Sequence, residues 1–411
     1  MSPANSTFAD RLLGRARLGG LLSLAAPILA IVFAGLITSI VLLITGDPPL
    51  ETLGVMADYG VQPRSIVLTL NYATTYYLSA LAVAVGFRMN LFNIGVDGQY
   101  RLAALVAAAV GGAITLPGPL HVAAIILVAM LVGAGWASIA GLLKVRRGVS
   151  EVISTIMLNA IATALGFWLL NKDRFAVEVA GSNNIGTKPL GPSAQVPGLE
   201  IVPGTPLKVF GLIILAVVMG VLYHVVLNRT RFGFDLRATG RSESAAVASG
   251  VNVKRMVLAA MVLSGAVAGL VGMPQLLGAS YSYSLDFPTG LGFTGIAIAL
   301  LGRNNPVGIA LGALLWAFLD TSSNILQLHE ISPEIVRIMQ GTIVLSVIVA
   351  YELVHRYQVS AGQRRVSREL AGGEPVPAER TAVPAGETSA PAGGTSAQAE
   401  GASVRAEGAS E

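Results

Sequence analysis

Residues 87–102 read FRMNLFNIGVDGQYRL and stand between two long apolar runs, at about 65–86 and 100–116. A helix that crosses the roughly 30 Å core of a bilayer needs about 20 mostly apolar residues. This stretch therefore marks where one membrane helix ends and the next begins. It also concentrates polar side chains, namely Arg88, Asn90, Asn93, Asp97, Gln99 and Arg101. It predicts either a turn on the membrane surface or polar backbone inside the membrane.

The composition places the whole chain in a membrane. Of its 411 residues, 53% are hydrophobic and only 12% are charged, whereas a soluble protein carries roughly 25% charged residues. The mean hydropathy is +0.68. The net charge of +4 does not indicate nucleic-acid binding, because the basic residues are scattered through short loops without interleaved aromatic residues. We therefore predict an all-α, polytopic membrane helix bundle in contact with lipid.

Several kinds of chemistry are excluded by what the sequence lacks. It has no cysteine for a disulfide or a thiolate metal site, and its four histidines are far apart. The nucleotide-binding pattern G-x-x-x-x-G-K-S/T is absent, so the chain does not itself bind ATP phosphates. Residues 290–295 read GLGFTG, but no strand precedes them, so they do not indicate a dinucleotide site. We predict a non-catalytic protein with no metal or cofactor of its own.

The apolar runs predict about ten membrane helices, several of them short or broken by glycine. The runs lie at 21–45, 65–86, 100–116, 119–144, 150–171, 207–228, 256–278, 292–302, 305–320 and 336–354. The first is too long for a signal-peptide core and lacks a small-residue cleavage site, so we interpret it as a retained anchor. The predicted organisation is a cytoplasmic segment 1–20, a membrane domain 21–355 and a cytoplasmic tail 356–411. We expect disorder from about residue 372, because that low-complexity composition cannot form a core.

The distribution of lysine and arginine predicts the orientation. With the N-terminus inside, basic residues accumulate in the loops that then face the cytoplasm, including Lys144, Arg146, Arg147 and the segment 229–255. The loops that then face outward hold few basic residues. Positive charge favours the cytoplasmic side of the membrane, so both termini are expected in the cytoplasm.

Two features of NIGVDGQ favour a break inside the membrane. Gly95 and Gly98 allow a sharp turn, and Asp97 near bilayer depth is costly unless it is paired or hydrated. Irregular backbone is tolerated at that depth where protein or water encloses it. Arg88 and Arg101 favour the opposite interpretation, a turn at the cytoplasmic surface. The residues alone leave both interpretations open.

Two predicted helices carry polar stripes. Glu151, Ser154, Thr155 and Asn159 follow offsets of 0, 3, 4 and 8, which place them on one helical face, and the same offsets recur from Asn71. Polar groups in membrane helices turn toward partner helices or toward a hydrated path, and both roles stay open. The candidates for a substrate path are Asn71, Thr75, Tyr76, Asn90, Asn93, Asp97, Gln99, Glu151 and Asn159.

The segment 234–256, FDLRATGRSESAAVASGVNVKRM, predicts a short cytoplasmic helix. Ser242 is suited to the N-cap and Gly250 to a left-handed C-cap, which gives a helix over Glu243–Ser249. A helix of this length is not stable alone in water, so it either ties two membrane helices together or docks on a partner. The candidate docking residues are Arg241, Glu243, Ala245, Ala246 and Gly250.

Four motifs occur in order along the chain: GFRMNLFNIGVDGQ (86–99), RRGVSEVISTIMLN (146–159), RATGRSESAAVASGVNVKRM (237–256) and GFTGIAIALLGRNNPVG (292–308). Together they resemble membrane permease subunits of bacterial ABC importers of the nucleoside and simple-sugar type, within the superfamily of ribose and branched-chain amino acid permeases. The resemblance covers about residues 20–355. It implies a permease in the bacterial cytoplasmic membrane that forms half of an import path beside a second, homologous permease. It also implies a cytoplasmic ABC ATPase subunit that hydrolyses ATP, and an extracytoplasmic substrate-binding lipoprotein.

The resemblance also implies roles for particular residues. The short helix falls where the family has its coupling helix to the ATPase, and Asn93, Asp97 and Gln99 match a family motif near the translocation path. Asp97 stands where the family often has glutamate, so its carboxylate has a shorter reach. The implied substrate is a nucleoside, with a simple sugar as the alternative. A protein of another class, an ion-coupled secondary transporter or channel that uses Asp97 or Glu151, is the rival hypothesis.

Overall fold

The computed structural model describes residues 32–178 and 184–372. The described helices are α1 (Val32–Thr45), α2 (Pro49–Gly60), α3 (Pro63–Phe87), α4 (Val96–Ala113), α5 (Gly118–Arg147), α6 (Glu151–Leu169), α7 (Ile213–Arg229), α8 (Arg231–Arg241), α9 (Glu243–Ala248), α10 (Val253–Gly269), α11 (Met273–Gln275), α12 (Leu291–Leu301), α13 (Pro306–Ser323) and α14 (Glu334–Gly372). Helix α11 continues into a π-helical turn, Leu276–Ser280. Two short strands, β1 (Ala176–Glu178) and β2 (Ile185–Thr187), pair antiparallel. The predicted all-α helix bundle is confirmed.

The chain divides into two units, Met1–Tyr357 and Gln358–Glu411. Of the second unit, the structure describes only the last part of α14. The predicted N-terminal segment, the start of the first predicted span and the tail beyond residue 372 lie outside the described residues. Those three predictions therefore stay predictions.

The predicted number of ten membrane helices is not confirmed. Within the described residues, five helices are long and apolar enough to cross a membrane: α3, α5, α6, α13 and the stretch Val253–Ser280. Two bent pairs, α1 with α2 at 111° and α7 with α8 at 72°, raise the number to seven if each pair forms one span. The predicted run at 292–302 corresponds to α12, whose 11 residues extend only about 16 Å. A helix of that length crosses roughly half of a bilayer core.

Several helix ends are set by side chains that satisfy free backbone groups. As predicted, the Ser242 hydroxyl caps α9 by accepting a hydrogen bond from a backbone N–H in its first turn. Helix α9 ends at Ala248, one residue earlier than predicted, and Gly250 follows with a left-handed φ of +82°, which favours glycine. Asn252 and Asn305 cap α10 and α13 in the same way as Ser242. Sequence-local chemistry therefore fixes where these helices begin.

Small residues allow α5 and α10 to pack closely. A Cβ atom built on Gly133 would collide with the carbonyl oxygen of Gly265 and lie 2.9 Å from the backbone nitrogen of Gly269. Association of membrane helices depends on such close backbone approach, because lipid is as apolar as the side chains themselves. Helices α3 and α10 lie in the interior of the bundle, and α3 is buried without interruption from Leu78 to Gly86.

The hydrophilic segment that begins at β2 packs on the bundle, although its sequence shows little periodicity. The backbone N–H of Thr187 donates to the carbonyl oxygen of Tyr283 at 2.8 Å. Further along, the N–H of Leu190 donates to the carbonyl oxygen of Tyr281 at 2.7 Å. These bonds hold the irregular stretch 281–290, which precedes α12, against the rest of the protein.

Candidate functional site

The stretch between α3 and α4 turns back into the bundle. Helix α3 ends at Phe87, and the exposed Asn90 follows with a left-handed φ of +58°, which asparagine adopts more readily than most residues. The Asn93 amide then donates to Ser264 Oγ at 2.8 Å, and the Ser264 hydroxyl donates to the Ala82 carbonyl oxygen at 2.7 Å. Ala82 lies about 8 Å before the end of α3. Helix α4 therefore starts inside the bundle, as the broken-helix interpretation predicted.

Asn93 is the centre of a closed set of amide hydrogen bonds. Its Nδ2 donates to Gln99 Oε1 at 3.0 Å, and Gln99 Nε2 donates back to Asn93 Oδ1 at 2.9 Å. The same Asn93 oxygen accepts a hydrogen bond from the backbone N–H of Gly95 at 3.1 Å. The two amide side chains are buried, with 1% and 0% exposure. Their hydrogen-bonding groups are used within the protein, and they hold the break in its conformation.

Asp97 lies at the N-terminal ends of two helices. It belongs to the first turn of α4, and its Oδ1 accepts a hydrogen bond from the backbone N–H of Gly292, in the first turn of α12, at 3.3 Å. The positive end of a helix dipole stabilises a carboxylate. The Ser79 hydroxyl donates to the carbonyl oxygen of Leu291 at 2.7 Å, which places the start of α12 about 12 Å before the end of α3. Asp97 therefore fixes the start of a half-length helix inside the bundle.

The polar stripe of α6 packs on the same break. Asn159 Nδ2 donates to the Ile94 carbonyl oxygen at 2.9 Å, and its Oδ1 accepts from the Gly98 N–H at 2.8 Å. Glu151 forms an ion pair with Lys144, with 2.6 Å between Oε2 and Nζ. Sequence analysis left two roles open for this stripe, contact with partner helices or the lining of a hydrated path. The contacts observed are hydrogen bonds and an ion pair within the protein.

The glycines of the motif act through close packing. Gly95 has a φ of −72°, and Gly98 lies within α4, so neither adopts the left-handed conformation. A Cβ atom on Gly98 would lie 2.8 Å from Asn159 Oδ1 and 2.9 Å from Ala162 Cβ. Neither glycine supplies a left-handed turn, and the residue with a left-handed φ in this stretch is Asn90.

A cavity of about 340 Å³ lies between α3, the stretch Val253–Ser280, the irregular stretch 281–290 and the end of α13. Its aromatic lining residues are Tyr72, Tyr76, Phe210 and Phe287, and its polar lining residues are Thr75, Gln275, Thr289, Asp320 and Asn324. A concave, mostly apolar wall with a few polar groups is typical of a small-molecule site. We refer to it as the aromatic cavity.

Asp320 is the acidic group of the aromatic cavity. The Tyr76 hydroxyl donates to Asp320 Oδ2 at 2.6 Å, and Gln340 Nε2 of α14 donates to Oδ1 at 2.6 Å. The Tyr76 ring lies nearly parallel to that of Tyr72, at 18° with 6.3 Å between the ring centroids. Residues from α3 and α14 therefore hold the carboxylate in one orientation beside a pair of aromatic rings.

Three of the predicted path residues belong to the aromatic cavity or its wall. Thr75 and Tyr76 line it. Asn71 Oδ1 accepts a hydrogen bond from the Phe210 backbone N–H at 2.7 Å, and its Nδ2 donates to the Lys208 carbonyl oxygen at 3.2 Å, so Asn71 holds the backbone that carries Phe210. A path role stays a prediction for the candidates outside the lining, Asn90, Asn93, Asp97, Gln99, Glu151 and Asn159.

Asp320, Gln275 and Asn324 were not predicted from the sequence. Asp320 had a detectable signal, because an acid inside the apolar run 305–320 is rare and usually functional. Gln275 and Asn324 had no such signal. Each stands near the end of an apolar run, and their common position depends on how distant helices pack.

The predicted docking helix α9 leaves most of its surface free. Val247 is 61% exposed, and Phe234 on the preceding helix α8 is 64% exposed. The sequence suggested that Ala246 faces a partner. Ala246 is only 2% exposed, so it instead packs α9 against the protein. The other candidate docking residues, Arg241, Glu243, Ala245 and Gly250, are exposed. Exposed large apolar side chains of this kind are typical of a protein contact.

Comparison with known proteins identifies relatives along most of the chain. Residues 65–348 match the family described as the permease component of the branched-chain amino acid transport system. The chain is 35% identical over 287 residues to a guanosine ABC transporter permease of Bacillus subtilis, covering 69% of this chain and 81% of the relative. It is 32% identical over 339 residues to a nucleoside ABC transporter permease of Lactococcus lactis, covering 79% and 90%.

A third relative carries a different substrate in its name. The chain is 30% identical over 369 residues to a glucose ABC transporter permease of Haloferax volcanii, covering 88% of this chain and 94% of the relative. No solved structure matches. The family match and the apolar helices make the chain a multi-pass, non-catalytic membrane subunit, whose ATPase is a separate subunit. The chain belongs to the family of permease components of branched-chain amino acid transport systems.

Proposed function

We propose that the chain is a transmembrane permease subunit of an ATP-driven ABC importer for nucleosides, and that the aromatic cavity is part of its translocation path. The family and the two relatives named for guanosine and nucleosides support the proposal. A separate ABC ATPase supplies the energy, so this chain binds and releases substrate without chemical change. Its helices then rearrange between states that open to opposite sides of the membrane.

The observation that carries the nucleoside assignment is the pairing of aromatic rings with polar groups in the aromatic cavity. A nucleoside base has flat π-faces that stack on aromatic side chains, and its ribose has hydroxyls that need hydrogen-bond partners when buried. Tyr72, Phe210 and Phe287 supply rings, while Gln275 and Asp320 supply polar atoms. A simple sugar is the second candidate, because one relative is named as a glucose permease.

We assign the protein partners to the two sides of the membrane that the ends of the bundle face. The distribution of lysine and arginine supports a cytoplasmic position for α8, α9 and both termini, and on that side α9 docks on the ATPase. The segment after β2 then faces outward, toward the substrate-binding lipoprotein. A second, homologous permease subunit completes the path.

Uptake by the reconstituted complex tests the proposal. Both permeases, the ATPase and the lipoprotein are placed in liposomes, and uptake of guanosine, other nucleosides and glucose is measured with ATP or a non-hydrolysable analogue. Nucleosides are expected to accumulate only with ATP. Accumulation of glucose instead would assign a sugar. Uptake by this chain alone, driven by an ion gradient, would contradict the ABC mechanism and favour a secondary transporter.

The docking of α9 predicts a separate effect of Val247→Glu. A charge forced into a contact with the ATPase is costly, so we expect ATP-driven uptake to fall about tenfold or more. Thermal stability of the permease should not change, because the Val247 side chain is exposed. The matched control is Val61→Glu, at a residue that is 65% exposed after α2 and away from α9, which should retain uptake. Normal uptake by Val247→Glu would show that α9 is not the docking helix.

A further inference from the structure

Asp320 occupies an uncommon position for a carboxyl group. It lies in α13, one of the helices long and apolar enough to cross a membrane, and it lines the aromatic cavity. Ionisable residues inside membrane helices are costly, and those that occur are usually functional. Within the described part of the chain, Asp320 takes part in none of the ion pairs, although Arg337 of α14 acts on it electrostatically without direct contact.

The hydrogen bonds of Asp320 leave part of its accepting capacity free. Tyr76 donates to one oxygen and Gln340 to the other, each at 2.6 Å. A carboxylate has about four acceptor positions on its two oxygens, so roughly one position remains on each oxygen. Because both protein partners are donors, they hold Asp320 as an oriented acceptor at the wall of the cavity.

We propose that Asp320 is a specificity-determining residue and accepts two hydrogen bonds from adjacent donors on the transported nucleoside. This inference rests on the proposed function. Two parts of a nucleoside present such a pair: the 2′- and 3′-hydroxyls of ribose, and the N1–H with the 2-amino group of guanine. Tyr72, which stacks on Tyr76, offers a ring face for the base in either orientation.

Discrimination follows from the cost of an unpaired acceptor. When an analogue lacks one of the two donors, one carboxylate oxygen at the wall of the cavity loses its partner. A site built to hydrogen-bond a substrate group rejects the analogue that lacks it far more strongly than an apolar pocket rejects a missing methylene. Asp320 is therefore expected to affect the ratio of rates between nucleosides, and not only the overall rate.

Asp320→Asn is the variant that tests this inference. Asparagine keeps the shape of the side chain but replaces one acceptor oxygen with a donating NH2 group. Uptake of guanosine, 2′-deoxyguanosine and inosine is measured in the complete reconstituted complex with ATP, each nucleoside at a concentration that saturates the lipoprotein. Wild type and variant share the same lipoprotein, so its own selectivity cancels when their rate ratios are compared.

The wild type is expected to transport guanosine about tenfold faster than one of the two analogues, and Asp320→Asn is expected to remove most of that preference. If the preference over 2′-deoxyguanosine is lost, Asp320 binds the ribose hydroxyls. If the preference over inosine is lost, Asp320 binds the N1–H and 2-amino group of guanine. An equal loss of uptake for all three nucleosides, an unchanged ratio, or a wild type without preference would overturn the inference. Absence of any ATP-driven nucleoside uptake by the wild type would instead refute the proposed function.

Two further variants separate specificity from folding. Glu352→Gln removes an acid in an exposed ion pair with Arg356, outside the aromatic cavity, and should leave both rate and ratio unchanged. Tyr76→Phe removes one of the two donors that orient Asp320, so it should reduce the preference without abolishing it. If Asp320→Asn fails to assemble, an unchanged preference in Tyr76→Phe overturns the inference on its own.

Discussion

Two irregular stretches lie inside the helix bundle of this permease, and they are filled differently. The stretch 88–95, before α4, is occupied by its own side chains, and Asn93 satisfies its amide groups with Gln99 and neighbouring groups. The stretch 281–290, before α12, borders a cavity of about 340 Å³. Each stretch leads into a helix that starts within the bundle, but the second also lines the cavity with polar atoms such as those of Thr289.

The difference shows that polar residues at membrane depth serve either as framework or as path. We call Asn93, Asp97 and Gln99, with the glycines packed on them, the polar framework. An unpaired polar group in apolar surroundings is costly, and the amides of the framework have protein partners. Asp320 in the aromatic cavity keeps accepting capacity after binding Tyr76 and Gln340. Substitutions in the framework should therefore reduce stability, and substitutions in the cavity should reduce transport.

The largest effect is expected for Asn93→Ala in the polar framework. The change removes the partner of the buried Gln99 amide and a donor to Ser264. Each buried group left unpaired costs about 1–3 kcal/mol, so the free energy of unfolding should fall by roughly 3 kcal/mol. Thermal denaturation of the purified permease measures this. Asn90→Gly, at the exposed position with φ of +58°, is the control that should cause no loss, and equal stability of Asn93→Ala and wild type would break the comparison.

An intermediate effect is expected for Gly292→Ala at the contact between α12 and α4. The added Cβ would lie 2.8 Å from Asp97 Cα, so one of the two helix starts must shift, at a cost of about 1–3 kcal/mol. Gly135→Ala is the matched control, because a Cβ there meets nothing within 4 Å. Denaturation of the two variants side by side should show a loss only for Gly292→Ala. Similar curves would mean that the framework tolerates movement of α12.

The smallest effect on stability is expected for Tyr72→Ala in the aromatic cavity. Tyr72 is 43% exposed, so its truncation should change the free energy of unfolding by no more than about 1 kcal/mol. Nucleoside uptake should fall several-fold, since a base that stacks on an aromatic ring gains about 1–3 kcal/mol. A variant that loses stability while its remaining folded fraction transports normally would place Tyr72 in the framework.

The sequence was sufficient for features that depend on local composition and spacing. The helical class follows from the apolar runs, and the start of α9 follows from the capping residue Ser242. Around Asn93 the residues alone left a surface turn and a break inside the membrane as alternatives. Short-range chemistry of this kind is visible in a single chain. The sequence did not identify Asn90 as the turn residue, because composition does not specify which residue adopts a left-handed backbone conformation.

Features that join distant residues were not predictable in the same way. Asp97 meets the backbone of Gly292 across 195 positions, and Tyr76 meets Asp320 across 244. The acid at position 320 could have been recognised from the sequence as a functional candidate, because ionisable residues in membrane helices are usually functional. Its donors and its place in the aromatic cavity depend on the packing of α3, α13 and α14, and no local pattern specifies that arrangement.

The most direct test of the division between framework and path uses single cysteines, because the chain contains none of its own. Thr289→Cys introduces a cysteine into the lining of the aromatic cavity. Ser264→Cys introduces one beside the polar framework, at a residue that bonds Asn93 and has 0% exposure. The reconstituted complex is treated with a water-soluble thiol reagent, with and without guanosine, and the mass of this chain reports the modification. We predict that the cysteine at 289 reacts and is protected by guanosine, while the cysteine at 264 reacts only after denaturation. Reaction and guanosine protection at 264, with neither at 289, would contradict the account.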